Sequence, residues 1–114
     1  MPKNRTSMEE YLMTNDGARS MKELAGTGEQ VGIDLLVQTV TDWQGEVKER
    51  ATLMTENREV FGTFSSSFIR GAKSFLAVLE KEDYKPFRFV VDTAPTKRGQ
   101  PCLILRVIGF AEGV

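Results

Sequence analysis

A chain of 114 residues, 40% hydrophobic and 27% charged, is long enough for one compact domain with a real core and too short for two. It contains no run of 18 or more apolar residues, which excludes a transmembrane helix, and its net charge of −1 excludes gripping nucleic acid by bulk charge alone. With no histidine and a single cysteine, Cys102, it has no means of building a His-based triad, a His-ligated zinc site or an internal disulfide.

The N-terminus, MPKNRTSMEEYL, has basic residues with no apolar stretch behind them, which is not a secretory signal, so an intracellular, cytoplasmic location is expected. Ser7-Met8-Glu9-Glu10 matches a capping box and predicts a short helix over about Met8–Met13, stopped by Asn15-Asp16-Gly17. Ala18–Ala25 reads as one or two further helical turns with Met21 and Leu24 on one side, ended by Gly26-Thr27-Gly28. Residues 1–28 are too few to fold alone and are expected to pack on the main body as an appendage.

From Gln30 the period changes to two. Val31, Ile33, Leu35, Val37 and Thr39 alternate with their neighbours as a long strand, and Asp42-Trp43-Gln44-Gly45 supplies the turn. A second strand over about Val47–Met54 returns, Thr55–Glu59 turns again, and Val60–Phe64 is a short third strand. Ser65, Ser66 and Ser67 offer hydroxyls that cap the free N–H groups of a new helix. Phe68, Ile69, Ala72, Phe75, Leu76 and Leu79 then form its apolar stripe, with Arg70, Lys73 and Ser74 on the other side. Pro86 cannot continue a helix but can open a strand, and Phe87–Val91 is the fourth. Thr93–Pro101 is a long hairpin tip, Cys102–Ile108 the fifth strand, and residues 110–114 a short tail.

Three strands, one helix and two strands is the order of a five-stranded OB-fold barrel, in which the helix plugs one end. The expectation is therefore a mainly β protein, with the barrel over residues 29–109. A split β-α-β sandwich is the structural rival.

An OB-fold barrel binds on the face of its second and third strands, flanked by two loops. That region holds Trp43 in the first loop, Lys48 and Arg50 with one orientation in strand two, and Phe61 and Phe64 in strand three. Arg88 lies in strand four, and Lys97 and Arg98 at the last hairpin tip. Between Tyr84 and Gly109, Lys85, Arg88, Lys97, Arg98 and Arg106 stand against Asp92 alone, a local basic excess. Rings that stack on bases beside cations that meet phosphates are what a single strand requires, with little dependence on sequence. Carboxylates such as Glu9-Glu10 and Glu80-Lys81-Glu82-Asp83 read as solvated helix faces or ends, and Cys102 as an inert strand residue. No enzymatic activity, cofactor or metal is expected.

The stretch VFGTFSSSFIRGAKSF, followed by PFRFVVDTAPTKRGQPCLILRV, resembles the small single-stranded DNA-binding proteins encoded by bacteriophages. The likeness lies in a strand pair, a Gly-Thr-(Ser) passage into a helix, and a basic Lys-Arg-Gly hairpin before the last strand. It covers about residues 29–109. It implies an OB-fold that coats single-stranded DNA during replication or recombination in a phage-infected cell, with the Phe61–Phe64 strand and the Lys97-Arg98-Gly99 hairpin at the site. Cellular proteins of this kind often end in an acidic tail that recruits partners; here the tail, Phe110-Ala111-Glu112-Gly113-Val114, has one carboxylate. The expected partners are single-stranded DNA, with RNA open, a second copy of the chain, and replication or recombination proteins; no membrane is expected. The alternative is a protein–protein adaptor or a structural virion component on the same small barrel.

Overall fold

Alternating apolar residues set the long strands, and one stripe of helical period sets the helix that covers them. The computed structural model describes residues 19–41, 44–96 and 101–111. A two-residue strand β1 (Arg19–Ser20) runs into a 3-10 turn (Met21–Leu24), then β2 (Gln30–Thr41), β3 (Val47–Thr55) and β4 (Val60–Thr63). The helix α1 (Ser66–Lys81) follows, then β5 (Phe87–Ala94) and β6 (Cys102–Phe110). The expected helix over Met8–Met13, Trp43 and the Lys97-Arg98 tip lie outside the described residues.

The sheet is mixed and six-stranded, in the order β1-β4-β3-β2-β5-β6, with β1 parallel to β4 and the other neighbours antiparallel. This corrects the expectation of a five-stranded closed barrel in two ways. Arg19–Ser20 adds a strand where helical turns were expected, and β4 and β6 do not pair, so the curled sheet is an open half-barrel. The extra strand is held by charge as well as by its backbone. The Arg19 guanidinium binds Glu23 at 2.5 Å and Glu59, and lies 5.1 Å from the Phe61 ring centre. Its hydrogen bond and charge attraction to Glu23 raise the Arg19 pKa above its ordinary value.

The core lies between α1 and the concave side of the sheet. Phe68, Ile69, Ala72 and Leu79 of α1 pack with Leu35, Leu53, Phe61, Phe87 and Phe89, and Met21 and Leu24 join the same cluster. The expected stripe is thus the buried one. The helix stops where Asp83 and Tyr84 take up left-handed backbone angles and the Tyr84 N–H donates back to the Leu79 carbonyl at 2.9 Å.

Gly32 is fixed by packing. A Cβ there would stand 2.5 and 2.7 Å from two ring carbons of Phe87, which is fully buried and sits edge-on to Phe75 at 5.0 Å. The ring has neighbours on its far side, so it cannot withdraw freely. Gly32→Ala is expected to destabilise the fold by about 1–3 kcal/mol through overpacking, read as a lower urea midpoint. An unchanged midpoint would mean that the ring yields without cost.

The opposite face of the sheet is also buried over much of its area. Met54 and Val60 form a second cluster with Ile33 and Leu36. Asp34, Arg50 and Thr52 are buried as well. The pairing of Asp34 with Met54, Leu36 with Thr52 and Gln38 with Arg50 puts all of these on the face away from α1. Among the described residues no helix is long and apolar enough to cross a membrane.

Candidate nucleic-acid interface

Phe61 and Phe64 are three residues apart, so in extended backbone they leave the chain on opposite sides. Phe61 pairs across from Leu53 and goes into the core, 2% exposed. Phe64, just past the end of β4, is 50% exposed. Phe61 is therefore corrected from a stacking residue to a core residue, while Phe64 presents its ring to solvent.

Strand β3 divides in the same way along its length. Val47, Lys48 and Glu49 are exposed, and everything from Arg50 to Thr55 is buried. Lys48 and Arg50 share a face, as their spacing predicts, but Arg50 is only 4% exposed. Arg50 is corrected to a buried residue, because both sides of β3 are covered from that position on. Lys48 is exposed, 4.0 Å from Glu46 Oε1, with its ammonium 5.9 Å from the centre of the Phe64 ring, within cation–π range.

Two side chains that the sequence left on a plain solvated helix face complete this corner. Arg70 and Lys73, three residues apart in the first half of α1, join Lys48, Glu49, Phe64, Ser66 and Ile69 around a shallow concavity of about 470 Å³. Three cations face one carboxylate in that lining. Lys73 Nζ and Glu49 Oε2 are 2.5 Å apart, but both side chains are about half exposed, so the pair is weak and open to competition by an anion. A basic pair at i, i+3 on the polar side of the helix that follows the Phe61–Phe64 strand was the available signal for Arg70 and Lys73.

The helix begins at the three serines as expected, but Ser65 does not cap it through its side chain. Ser65 stands at the N-cap position of α1, yet its hydroxyl makes no capping hydrogen bond. It donates instead to the Leu103 carbonyl at 3.3 Å, tying the start of α1 to β6 across the seam that β4 and β6 leave open. The first turn of α1 carries no acidic residue. Its N–H groups and the positive end of the helix dipole thus face the corner without an internal carboxylate, an arrangement that favours anions.

On the other side of Phe64 lies a second concavity of about 440 Å³, lined by Lys22, Thr63, Ser65, Thr96, Pro101 and Cys102 among others. Phe64 and Ser66 line both hollows, so the ring stands as a ridge between them. Cys102 is half-buried, and its thiol donates to the Ala94 carbonyl at 3.5 Å. Thr96 and Pro101 flank the tip that carries Lys97 and Arg98, which lie, like Trp43, outside the described residues.

Arg88 belongs elsewhere. It is opposite Val31 on β2, whereas Lys48 is opposite Val40, nine residues further along the same strand. That is roughly 30 Å at ~3.3 Å per residue. Arg88 is 3.7 Å from Glu29 and is not part of this corner.

Comparison with protein-family models, with curated proteins and with solved structures finds no match. The case for function therefore stands on the residues themselves.

Proposed function

We propose that the protein is a nonenzymatic, largely sequence-independent single-stranded DNA-binding protein with its site at the Phe64 corner. The observation that carries this reading is one half-exposed phenylalanine with a lysine ammonium near its face, at the start of a helix whose first turn holds no acid. A base stacked on Phe64 brings its flanking phosphates towards Lys48, Arg70, Lys73 and the α1 N–H groups. The ring reads no base edge, so the binding is tolerant of sequence. None of these groups distinguishes a 2′-hydroxyl, so RNA is a second substrate of the same site.

An OB-type architecture supports the reading. The pairs β2–β3, β3–β4, β2–β5 and β5–β6, with α1 between β4 and β5, are the neighbours expected of an OB barrel left open at its last seam. Lys48 then stands on its second strand and Phe64 just past the end of its third, beside the face where such barrels take their ligands. The likeness to phage proteins adds replication or recombination as the setting. A site of a few contacts binds moderately, so coating a strand needs several copies side by side.

Phosphate contacts leave a signature in salt. Replacing Arg70 and Lys73 together by Gln is expected to make binding of a dT oligonucleotide less steeply salt-dependent. For single strands the slope of log K against log salt should fall by about 0.7 per lost contact. An affinity loss with the slope unchanged would remove these two side chains from the phosphate track.

A further inference from the structure

We propose that the hollow on the β6 side of Phe64 takes the next nucleotide of the same single strand, with Lys22 as its phosphate contact. This rests on the reading of the Phe64 corner as a single-strand site and extends that site by one position. The hollow lies at the mouth of the open seam. Thr63 reaches it from the end of β4, Ser65 and Ser66 from the start of α1, and Cys102 from the start of β6. Its volume of about 440 Å³ nearly equals the 470 Å³ of its neighbour. Both are in the range of small-molecule sites, about 300–1,000 Å³. Phe64 and Ser66 belong to both linings, so a strand that leaves the first hollow over the ring enters the second without a gap.

Lys22 is brought there by β1. The parallel pairing sets Ser20 opposite Gly62, and Lys22 follows two residues beyond, as Phe64 follows two residues beyond Gly62. Lys22 is exposed, while Met21 and Leu24 of the same 3-10 turn are buried in the main core. The ammonium is therefore carried by a turn that the core holds in place. A strand that the alternation pattern does not announce thus delivers a cation to the rim of the site.

The two hollows differ in a way that suits different parts of a nucleotide. The first gathers Lys48, Arg70 and Lys73, which suit phosphates. The second sets one lysine among hydroxyls. The Ser65 N–H donates to Thr63 Oγ1 at 3.1 Å, and Ser65 Oγ donates to the Leu103 carbonyl at 3.3 Å, so both oxygens are held in position. A hydroxyl both donates and accepts, so it meets the donor or acceptor edge of any base, or a sugar oxygen. Binding in this hollow is then as tolerant of sequence as stacking on Phe64.

The test uses the full chain and a labelled dT oligonucleotide. Lys22→Gln is expected to lower the slope of log K against log salt by about 0.7 and, because Lys22 is exposed, to leave the thermal midpoint unchanged. Lys81→Gln, in the last turn of α1, removes the same charge at the far end of the helix and should keep the parental slope. A parental slope in Lys22→Gln, or an equal fall in both variants, would overturn the proposal. Cys102 supplies a second readout, since it is the only thiol of the chain and lines this hollow. Its alkylation by iodoacetamide should slow severalfold when the oligonucleotide is saturating. An unchanged rate would overturn the proposal even beside a lower slope. Phe64→Ala separates the two failures. If it weakens binding while Lys22→Gln keeps the parental slope, the Phe64 corner stands and the second position falls; if the parent chain does not bind the oligonucleotide, both fall.

Discussion

Phe64→Ala is expected to weaken binding of a single-stranded oligonucleotide by roughly 5- to 150-fold, the equivalent of about 1–3 kcal/mol for a lost stacking contact. The size follows from the position of the ring. It is half exposed before any ligand arrives and it lines both hollows of the corner, so a base laid on it keeps contact on either side. The same exposure means that little core is lost with it, and the thermal midpoint should stay close to that of the parent. Fluorescence anisotropy of a labelled dT oligonucleotide, with calorimetry on the free protein, separates the two effects. Parental affinity in the folded variant would remove Phe64 from the site. Phe64→Tyr keeps a flat ring and should restore most of the binding, whereas a merely structural role would show in the midpoint instead.

Phe87→Ala is expected to have the largest effect on folding, about 3–5 kcal/mol of lost stability. The ring is fully buried, meets Phe75 edge-on at 5.0 Å and Phe89 at 5.8 Å, and fills the space above Gly32. Deleting it removes the contact between the start of β5 and α1 and leaves a cavity that Gly32, lacking a side chain, cannot fill. A domain of this size has about 5–15 kcal/mol in total, so the variant should unfold at much lower urea. A loss below about 1 kcal/mol would mean that the core collapses around the gap, contrary to the packing described. The double variant Gly32→Ala/Phe87→Ala is informative beside it. The added methyl then enters vacated space, so the two changes together should cost less than the sum of each alone.

The elements with a strong period were legible in the sequence. The apolar stripe of α1 and the alternation in β2, β3 and β5 are each produced by one face meeting the core, and residue order records that directly. β1 was not legible, because two residues, Arg19 and Ser20, have no period. What makes them a strand is the edge of β4 and the carboxylates of Glu23 and Glu59, which only the folded chain brings together. The candidate site was half legible for a related reason. The spacing of Phe61 and Phe64 sends one ring in and one out, but which one depends on where the helix lies. The pattern of β3 announces that Lys48 and Arg50 share a face. It does not announce that the face is covered from Arg50 onwards, since that covering comes from outside the strand. Ser65 looked like a cap because its local sequence is that of a cap. The open seam gave its hydroxyl another partner, Leu103, and no local pattern records a contact across 38 residues.

The corner around Phe64 gathers a ring, a helix start and three cations from β3, from the end of β4 and from α1. Each alone is ordinary on a protein surface, and their meeting at one place is what a stacked base with phosphates on either side requires. The resulting site is small. Its affinity should be moderate, it should fall with salt, and a duplex, whose bases are already stacked and paired, should not satisfy Phe64.

The most direct measurement is therefore anisotropy of a labelled dT oligonucleotide of about 30 nucleotides titrated with the full chain at low and raised salt, beside the matching duplex. Binding of the single strand that weakens as salt rises, with little binding of the duplex, is the predicted result. Silence with the single strand at low salt, or equal binding of strand and duplex, would contradict the account and leave the protein–protein adaptor as the better reading.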